Sequence, residues 1–153
     1  MKTFDVTLMH WEEARADAAR IRYQVFVIEQ RVPEEMEWDE WDACSVHALA
    51  RTDTGEVTGT GRLLPTDSSG CAHLGRMAVL PEWRRKGAGS VLLRALLAEA
   101  HRRGTRKIVL HAQLSAADFY RCHGFSKYGM PFIEAGLPHV AMSLLLDEGA
   151  LSS

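Results

Sequence analysis

The stretch that decides the fold is residues 73–97, HLGRMAVLPEWRRKGAGSVLLRALL. Its first part belongs to a strand over Ala72–Val79, and Pro81 follows where a strand would stop. A basic turn with two glycines then leads at once into apolar residues at helical spacing, from Ser90 to about Arg103, closed by Gly104. The first N–H groups of a helix have no internal acceptor and sit at the positive end of its dipole. Gly87 and Gly89 remove the β-carbons that would hold an anion away from the backbone, and Ala88 and Ser90 are small. Arg84, Arg85 and Lys86 add countercharge. Strand, glycine turn and helix start together form a cradle for a phosphate-bearing ligand. A P-loop is excluded because Lys86 precedes the glycines. A dinucleotide fingerprint is excluded because Leu92 stands where its third glycine would be. On this stretch alone, a plain helix start with exposed arginines stays open.

Outward from that turn, the chain alternates strands and helices without a repeat or a linker. Phe4, Val6 and Leu8 alternate as a half-buried strand does. Trp11, Ala14, Ala18, Ile21 and Val25 recur at helical spacing, in a helix that ends before Pro33. Residues 34–42, EEMEWDEWD, read as a loop or a short helix. Val46–Arg51 and Val57–Leu64 form a hairpin around DTGE. After the helix comes a strand at Ile108–Ala112, a short helix at Ala116–His123 closed by Gly124, and two strands at Ser126–Tyr128 and His139–Leu146. The order β-α-(loop)-β-β-β-α-β-α-β-β predicts an α+β domain with a mixed sheet and helices on both faces. One domain is expected over residues 1–153.

The bulk properties narrow the class. Of the 153 residues 46% are hydrophobic and 25% charged, as in globular proteins. A net charge of -2 offers nothing to nucleic acid or to an anionic membrane, so neither is expected as a partner. The basic residues gather locally at 84–86 and 101–107, which suits one anionic ligand rather than a polyanion. Cys44, Cys71 and Cys122 have no metal-ligand spacing, and no metal is expected. With no apolar signal segment at the N-terminus, the reading is a soluble, cytoplasmic protein.

The turn Arg84-x-x-Gly87-x-Gly89 after a strand resembles the cofactor motif of the GNAT N-acyltransferase superfamily. A second block at the expected distance, IVLHAQLSAADFYRCHGF (108–125), resembles that family's strand and Ala-x-x-Phe-Tyr-x-x-x-Gly-Phe helix. Arg22 with VFVIEQ, GTGRLLP and EAGLPHVAMSL look like the small bacterial ElaA-type branch. The resemblance implies a GNAT-type, mostly antiparallel sheet with a splayed central strand pair. It implies acetyl-CoA as the acyl donor, with its pyrophosphate on 84–90 and its pantetheine arm along Met77, Ala78 and Val79. The reaction implied is N-acetylation of a primary amine, on a small molecule or peptide, by direct attack in a ternary complex. The alternative on the same fold is a non-catalytic acyl-CoA-binding or regulatory domain. The final strands leave a homodimer open, with no interface signal readable in the sequence.

By the same resemblance Tyr120 serves the departing thiolate, to which a phenol donates without itself ionising. Its structural alternative is a core aromatic beside Phe119 and Phe125. Many relatives place a Glu on the cofactor strand as general base, but Leu74, Gly75 and Arg76 offer no carboxylate. The candidates are then Glu29, Glu134, His47, His73 and His139. Glu29 is taken as the catalytic base because the Glu29-Gln30 pair matches the ElaA-type pattern, with Gln30 and His139 at the substrate; the alternatives are that Glu29 and His139 hold loops in place and that a solvent chain takes the proton. Arg62 binds a substrate carboxylate or phosphate if it faces the cleft and is a surface Arg if it does not. The acidic run 34–42 attracts a cationic substrate or is simply a solvated loop. Cys122 has no base among its sequence neighbours, so a thiol nucleophile is not expected.

Overall fold

The structure is a computed structural model in which residues 3–146 are described. Period-two alternation sets its sheet. In β2 (Val46–Thr52), Val46, Ala48 and Ala50 turn to one apolar cluster and Leu49 to another. β1 (Phe4–Met9), β3 (Val57–Leu63), β4 (Cys71–Val79), β5 (Lys107–Gln113), β6 (Ser126–Glu134) and β7 (Leu137–Leu145) complete a seven-stranded sheet in the order β1-β2-β3-β4-β5-β7-β6. Every pairing is antiparallel except β4 with β5. The expected mixed, mostly antiparallel α+β architecture is therefore the one observed.

Helices cover both faces. α1 (Trp11–Arg22) buries Ala14, Ala18 and Ile21 against Leu49, Val57 and Ala78. On the other face α3 (Ala88–Arg102) buries Leu92, Leu93, Leu96 and Ala100, each leucine contributing about 2 kcal/mol of apolar burial. Its close seat on the sheet depends on Gly61, where a β-carbon would lie 2.5 Å from Met77 Sδ and 2.9 Å from Leu96 Cδ1. α4 (Ala117–Cys122) packs Ala117 and Tyr120 into the same cluster as α3.

Local departures from the expected elements all lie beside the sheet's central gap or at its edge. α1 runs on as a π-helix over Tyr23–Glu29, where Gln30 N–H reaches the Val25 carbonyl at 3.1 Å. The run 34–42 folds as α2 (Glu34–Glu37) and a 3-10 turn (Glu40–Cys44). β6 continues beyond Tyr128 to Glu134 and returns to β7 through Ala135 and Gly136, both at positive φ. Gly129 and Pro131 hide this strand in the sequence; Pro is tolerated because β6 is an edge strand, irregularly paired between Tyr128 and Phe132.

β4 and β5 position the site. They pair in parallel only at Cys71–Lys107, Ala72–Ile108 and His73–Val109, and then part. On its other side β4 carries a bulge: Thr60 faces Ala78 and Arg62 faces Gly75, so two steps along β3 meet three along β4. The extra residue is taken up at Arg76, whose φ of 51° is left-handed.

Candidate functional site

Parting strands leave backbone edges unpaired and open a cleft of about 630 Å³ between β4 and β5. Met77 lines its β4 wall, Leu110 and Ala112 its β5 wall, and Tyr120 stands within it. Tyr120 is 8% exposed, wedged edge-on between Phe119 and Phe125. Burial pushes its phenol well above its ordinary value, so the proton stays on. Its hydroxyl makes no hydrogen bond among the described residues. Tyr120 is thus a core aromatic beside Phe119 and Phe125 whose residue also borders the cleft.

The glycine turn follows the end of β4 through a 3-10 turn at Pro81–Trp83. Gly87 caps α3 at φ 97°, where a side chain would be strained. The first i→i-4 bond of α3 runs from Val91 N–H to the Gly87 carbonyl at 3.1 Å, so the N–H groups of Ala88, Gly89 and Ser90 precede the ladder. The basic residues split. Arg84 donates to both Glu29 oxygens at 2.6 Å and, through Nε, to the Val79 carbonyl at 2.9 Å. Lys86 lies over the Trp83 ring at 5.2 Å, and Arg85 is exposed at φ 62°. Among the described residues Arg85 and Lys86 thus have no carboxylate partner, whereas Arg84 ties the turn to β4.

The turn is tied to the Tyr120 helix as well. A β-carbon on Gly89 would sit 3.4 Å from Phe119, and Ser90 Oγ lies 3.1 Å from His123 Nε2. The two sequence blocks, 84–90 and 116–125, are thus one packed unit.

Glu29 lies outside the cleft. Its hydrogen bonds from Arg84 hold its carboxyl below the usual range, a poor state for accepting a proton. Gln30 does line the cleft, and its Oε1 accepts from Gln113 Nε2 at 2.8 Å. On the β5–β7 wall Glu134 stands between two histidines: His111 Nδ1 is 2.8 Å from Oε1 and His139 Nε2 is 4.0 Å from Oε2. His139 Nδ1 lies 2.8 Å from the Leu137 carbonyl. A carbonyl only accepts, so that nitrogen carries hydrogen and the neutral ring's lone pair is on Nε2. Phe132 stacks on His139 and meets His111 edge-on. Of the other base candidates, His73 lines the cleft, while His47 is buried, with Nε2 2.9 Å from the Asp42 carbonyl and Trp11 against its ring.

On the β3–β4 wall the acidic run meets arginines, so it is neither a solvated loop nor a free lure for cations. Arg22, 1% exposed, bonds Glu37 Oε1 through Nε and Asp42 through Nη1 and Nη2 at 2.8 and 3.1 Å. Trp11 and Trp38 cover its guanidinium at 5.4 and 5.6 Å. Arg62, 5% exposed, lines the cleft and bonds Asp39 at 2.7 and 3.0 Å and Asp42 at 3.1 Å. Arg76 reaches the Glu37 carbonyl and Asp39 Oδ2. Burial opposes the Asp39 charge, but Arg62 and Arg76 hold its carboxyl below the usual range.

Sequence reasoning missed this cluster and the role of Glu134 with His111. The one available signal was arithmetic: arginines inside α1, β3 and β4 need carboxylates, and 37–42 holds them.

Comparison with known proteins agrees with this geometry. The family model described as Acetyltransferase (GNAT) domain matches residues 11–146. The Bacillus subtilis protein named Uncharacterized N-acetyltransferase YjcF is 37% identical over 132 residues, 86% of this chain and 92% of its own. An acyl-CoA N-acyltransferase from Pseudomonas aeruginosa superposes with a TM-score of 0.81 at 27% identity, covering 93% of this chain and 99% of that one. Escherichia coli ElaA shares the fold with a TM-score of 0.81, 24% identity and the same coverage. Matched by the family model over most of its length and by a relative above 30% identity across most of both chains, this protein belongs to the GNAT acetyltransferase family.

Proposed function

We propose that this protein transfers the acetyl group of acetyl-CoA to a primary amine by direct attack in a ternary complex. The observation that carries the reading is the parting of β4 and β5 after His73 and Val109, which opens a cleft bordered by the unpartnered Tyr120. Family membership supports acyl transfer; the acetyl donor and the amine acceptor are our assignment.

The pyrophosphate lies on the N–H groups of Ala88, Gly89 and Ser90 and the cations of Arg85 and Lys86. Gly87 leaves the approach clear. The pantetheine arm runs along Met77, Ala78 and Val79 and pairs with the free edge of β4, as an added strand would. A β4 backbone N–H stabilises the oxyanion that forms at the thioester carbonyl. The amine nitrogen forms its bond to that carbon and the C–S bond breaks; Tyr120 donates a hydrogen bond to the departing thiolate and keeps its own proton, and the second proton released by the nitrogen passes to the sulfur. The proton lost by the ammonium goes to His139 Nε2, with Glu134 stabilising the imidazolium that results. Gln30 and Gln113 frame the acceptor, and we assign Glu29 to holding Arg84.

Two measurements test this together. Acetyl-CoA is expected to raise the melting temperature, and free thiol to appear when amines are added. Stabilisation without turnover on any amine, peptide or amino sugar would favour a non-catalytic acyl-CoA-binding domain; no stabilisation would overturn both.

A further inference from the structure

The β3–β4 wall of the cleft has donors without acceptors. Arg62 Nε is buried and has no hydrogen-bond partner, although the other guanidinium nitrogens of Arg62 are engaged by Asp39 and Asp42. A buried N–H left open costs about 1–3 kcal/mol, so its persistence needs a reason. Arg22 differs: its nitrogens all reach Glu37 or Asp42. Arg76 is the next case. It donates through Nε and Nη2, but Nη1 donates to no described residue.

A second, independent oddity sits on the same side chain. Arg76 holds φ 51° at the bulge, a conformation that favours Gly or Asn and costs an Arg about 1 kcal/mol or more. Gly75 is its immediate neighbour, yet the left-handed position carries the long cation. The strain puts a guanidinium on the cleft lining, beside Arg62. Burial and the neighbouring Arg62 and Arg22 charges disfavour the Arg76 cation, which an incoming anion would relieve.

Across the cleft the opposite wall carries a carboxylate between two histidines. Glu134, between His111 and His139, faces the space where the amine must lose its proton. Two unlike walls fit a substrate with two unlike ends.

We propose that the acceptor is a small amine that also bears a carboxylate, bound by Arg62 Nε and Arg76 Nη1 while its amine lies toward Glu134 and His139. This rests on the acyltransferase reading above and names its acceptor class. A carboxylate matches a guanidinium in charge and in planar geometry, which a neutral amide cannot.

The test compares glycine, β-alanine and γ-aminobutyrate with their amides, and 2-aminoethyl phosphate with ethanolamine. Thiol release from acetyl-CoA gives KM and kcat; melting in the presence of CoA gives binding without turnover. The expected result is at least a ~10-fold lower KM for one carboxylate-bearing amine than for its amide, and a melting rise with the acid only. Arg76→Asn, which keeps the left-handed backbone comfortable, is expected to bring that ratio to within about twofold by raising KM for the acid; Arg76→Lys is expected to keep most of it. Amides used as well as acids, a ratio unmoved in Arg76→Asn, or a preference confined to the phosphate pair would each overturn the inference. If no amine is acetylated, the acyltransferase reading fails, and the melting comparison still decides this one: equal stabilisation by acid and amide overturns it.

Discussion

Replacing Arg22 by Met tests whether the arginine–carboxylate cluster is the frame of the acceptor wall. The guanidinium is 1% exposed, and the Glu37 and Asp42 side chains it meets are 2% and 5% exposed. Met keeps the apolar stem but strands two buried carboxylates. Removing one partner from a buried ion pair costs about 3–5 kcal/mol. Asp42 keeps Arg62 Nη1 at 3.1 Å and Glu37 keeps Arg76 Nε at 3.7 Å, which places the expected loss near the lower end, about 3 kcal/mol. With a urea slope of about 2 kcal/mol/M, the unfolding midpoint falls by about 1.5 M with the slope unchanged. Arg22→Met/Glu37→Gln, which also removes one stranded charge, is expected to recover about 1 kcal/mol or more. Arg121, paired at 3.0 Å with Asp118 on the surface, provides the control: Arg121→Met is expected to change stability by less than about 0.5 kcal/mol. A midpoint shift for Arg22→Met no larger than that of Arg121→Met would refute the reasoning.

Four further outcomes follow from the site. Tyr120→Phe is expected to lower kcat about 10- to 100-fold with acetyl-CoA affinity within about twofold, because its hydroxyl has no partner to lose; an undiminished rate removes it from the mechanism. Glu29→Gln is expected to leave kcat within about twofold, whereas Glu134→Gln lowers it at least tenfold; the reverse pattern restores Glu29 as the base. Gly87→Asp is expected to weaken CoA binding at least tenfold by calorimetry, since its carboxylate would oppose the phosphate, and an unchanged affinity refutes the cradle. Burial lowers the His47 pKa, so its contribution to stability is complete above the unfolded value of about 6.5 and is lost as pH falls toward the folded value. His47→Gln is expected to flatten the stability change between pH 7.5 and 5.5, and an unaltered slope would assign that change to other groups.

What was legible in the sequence was whatever depends on near neighbours. Alternation at Phe4, Val6 and Leu8 and helical spacing from Trp11 to Val25 predicted β1 and α1 because each residue reports its own face. The turn at Gly87 was legible because left-handed backbone selects glycine, and Arg76 was illegible for the same reason: it occupies that conformation without being one. The second half of β6 was lost to Gly129 and Pro131, which signal a break in a central strand and not in an edge strand. Long-range pairing defeated the rest. Arg84 meets Glu29 across 55 residues and Arg62 meets Asp39 across 23, and neither spacing leaves a periodic trace. Spacing could name Glu29 as a base or a loop-holding residue but not its partner Arg84, and 34–42 as a loop or short helix but not its arginines.

The β4 bulge connects the donor and acceptor halves of the site through one local irregularity. An unbulged β4 would stay in register with β3 from Leu74 to Val79, and its side chains would keep strict alternation. The extra residue breaks that alternation at Arg76, which puts a guanidinium on the cleft wall, while Ala78 and Val79 resume pairing with Thr60 and Gly59. In the proposed complex the strand would therefore present an arginine to the acceptor before the bulge ends and an ordinary backbone edge to the pantetheine arm after it. Moving the bulge by one residue would exchange the faces of Arg76 and Met77. Arg76→Gly relieves the left-handed position but also removes the bonds to the Glu37 carbonyl and Asp39, so it is expected to weaken acceptor binding with little net gain in stability.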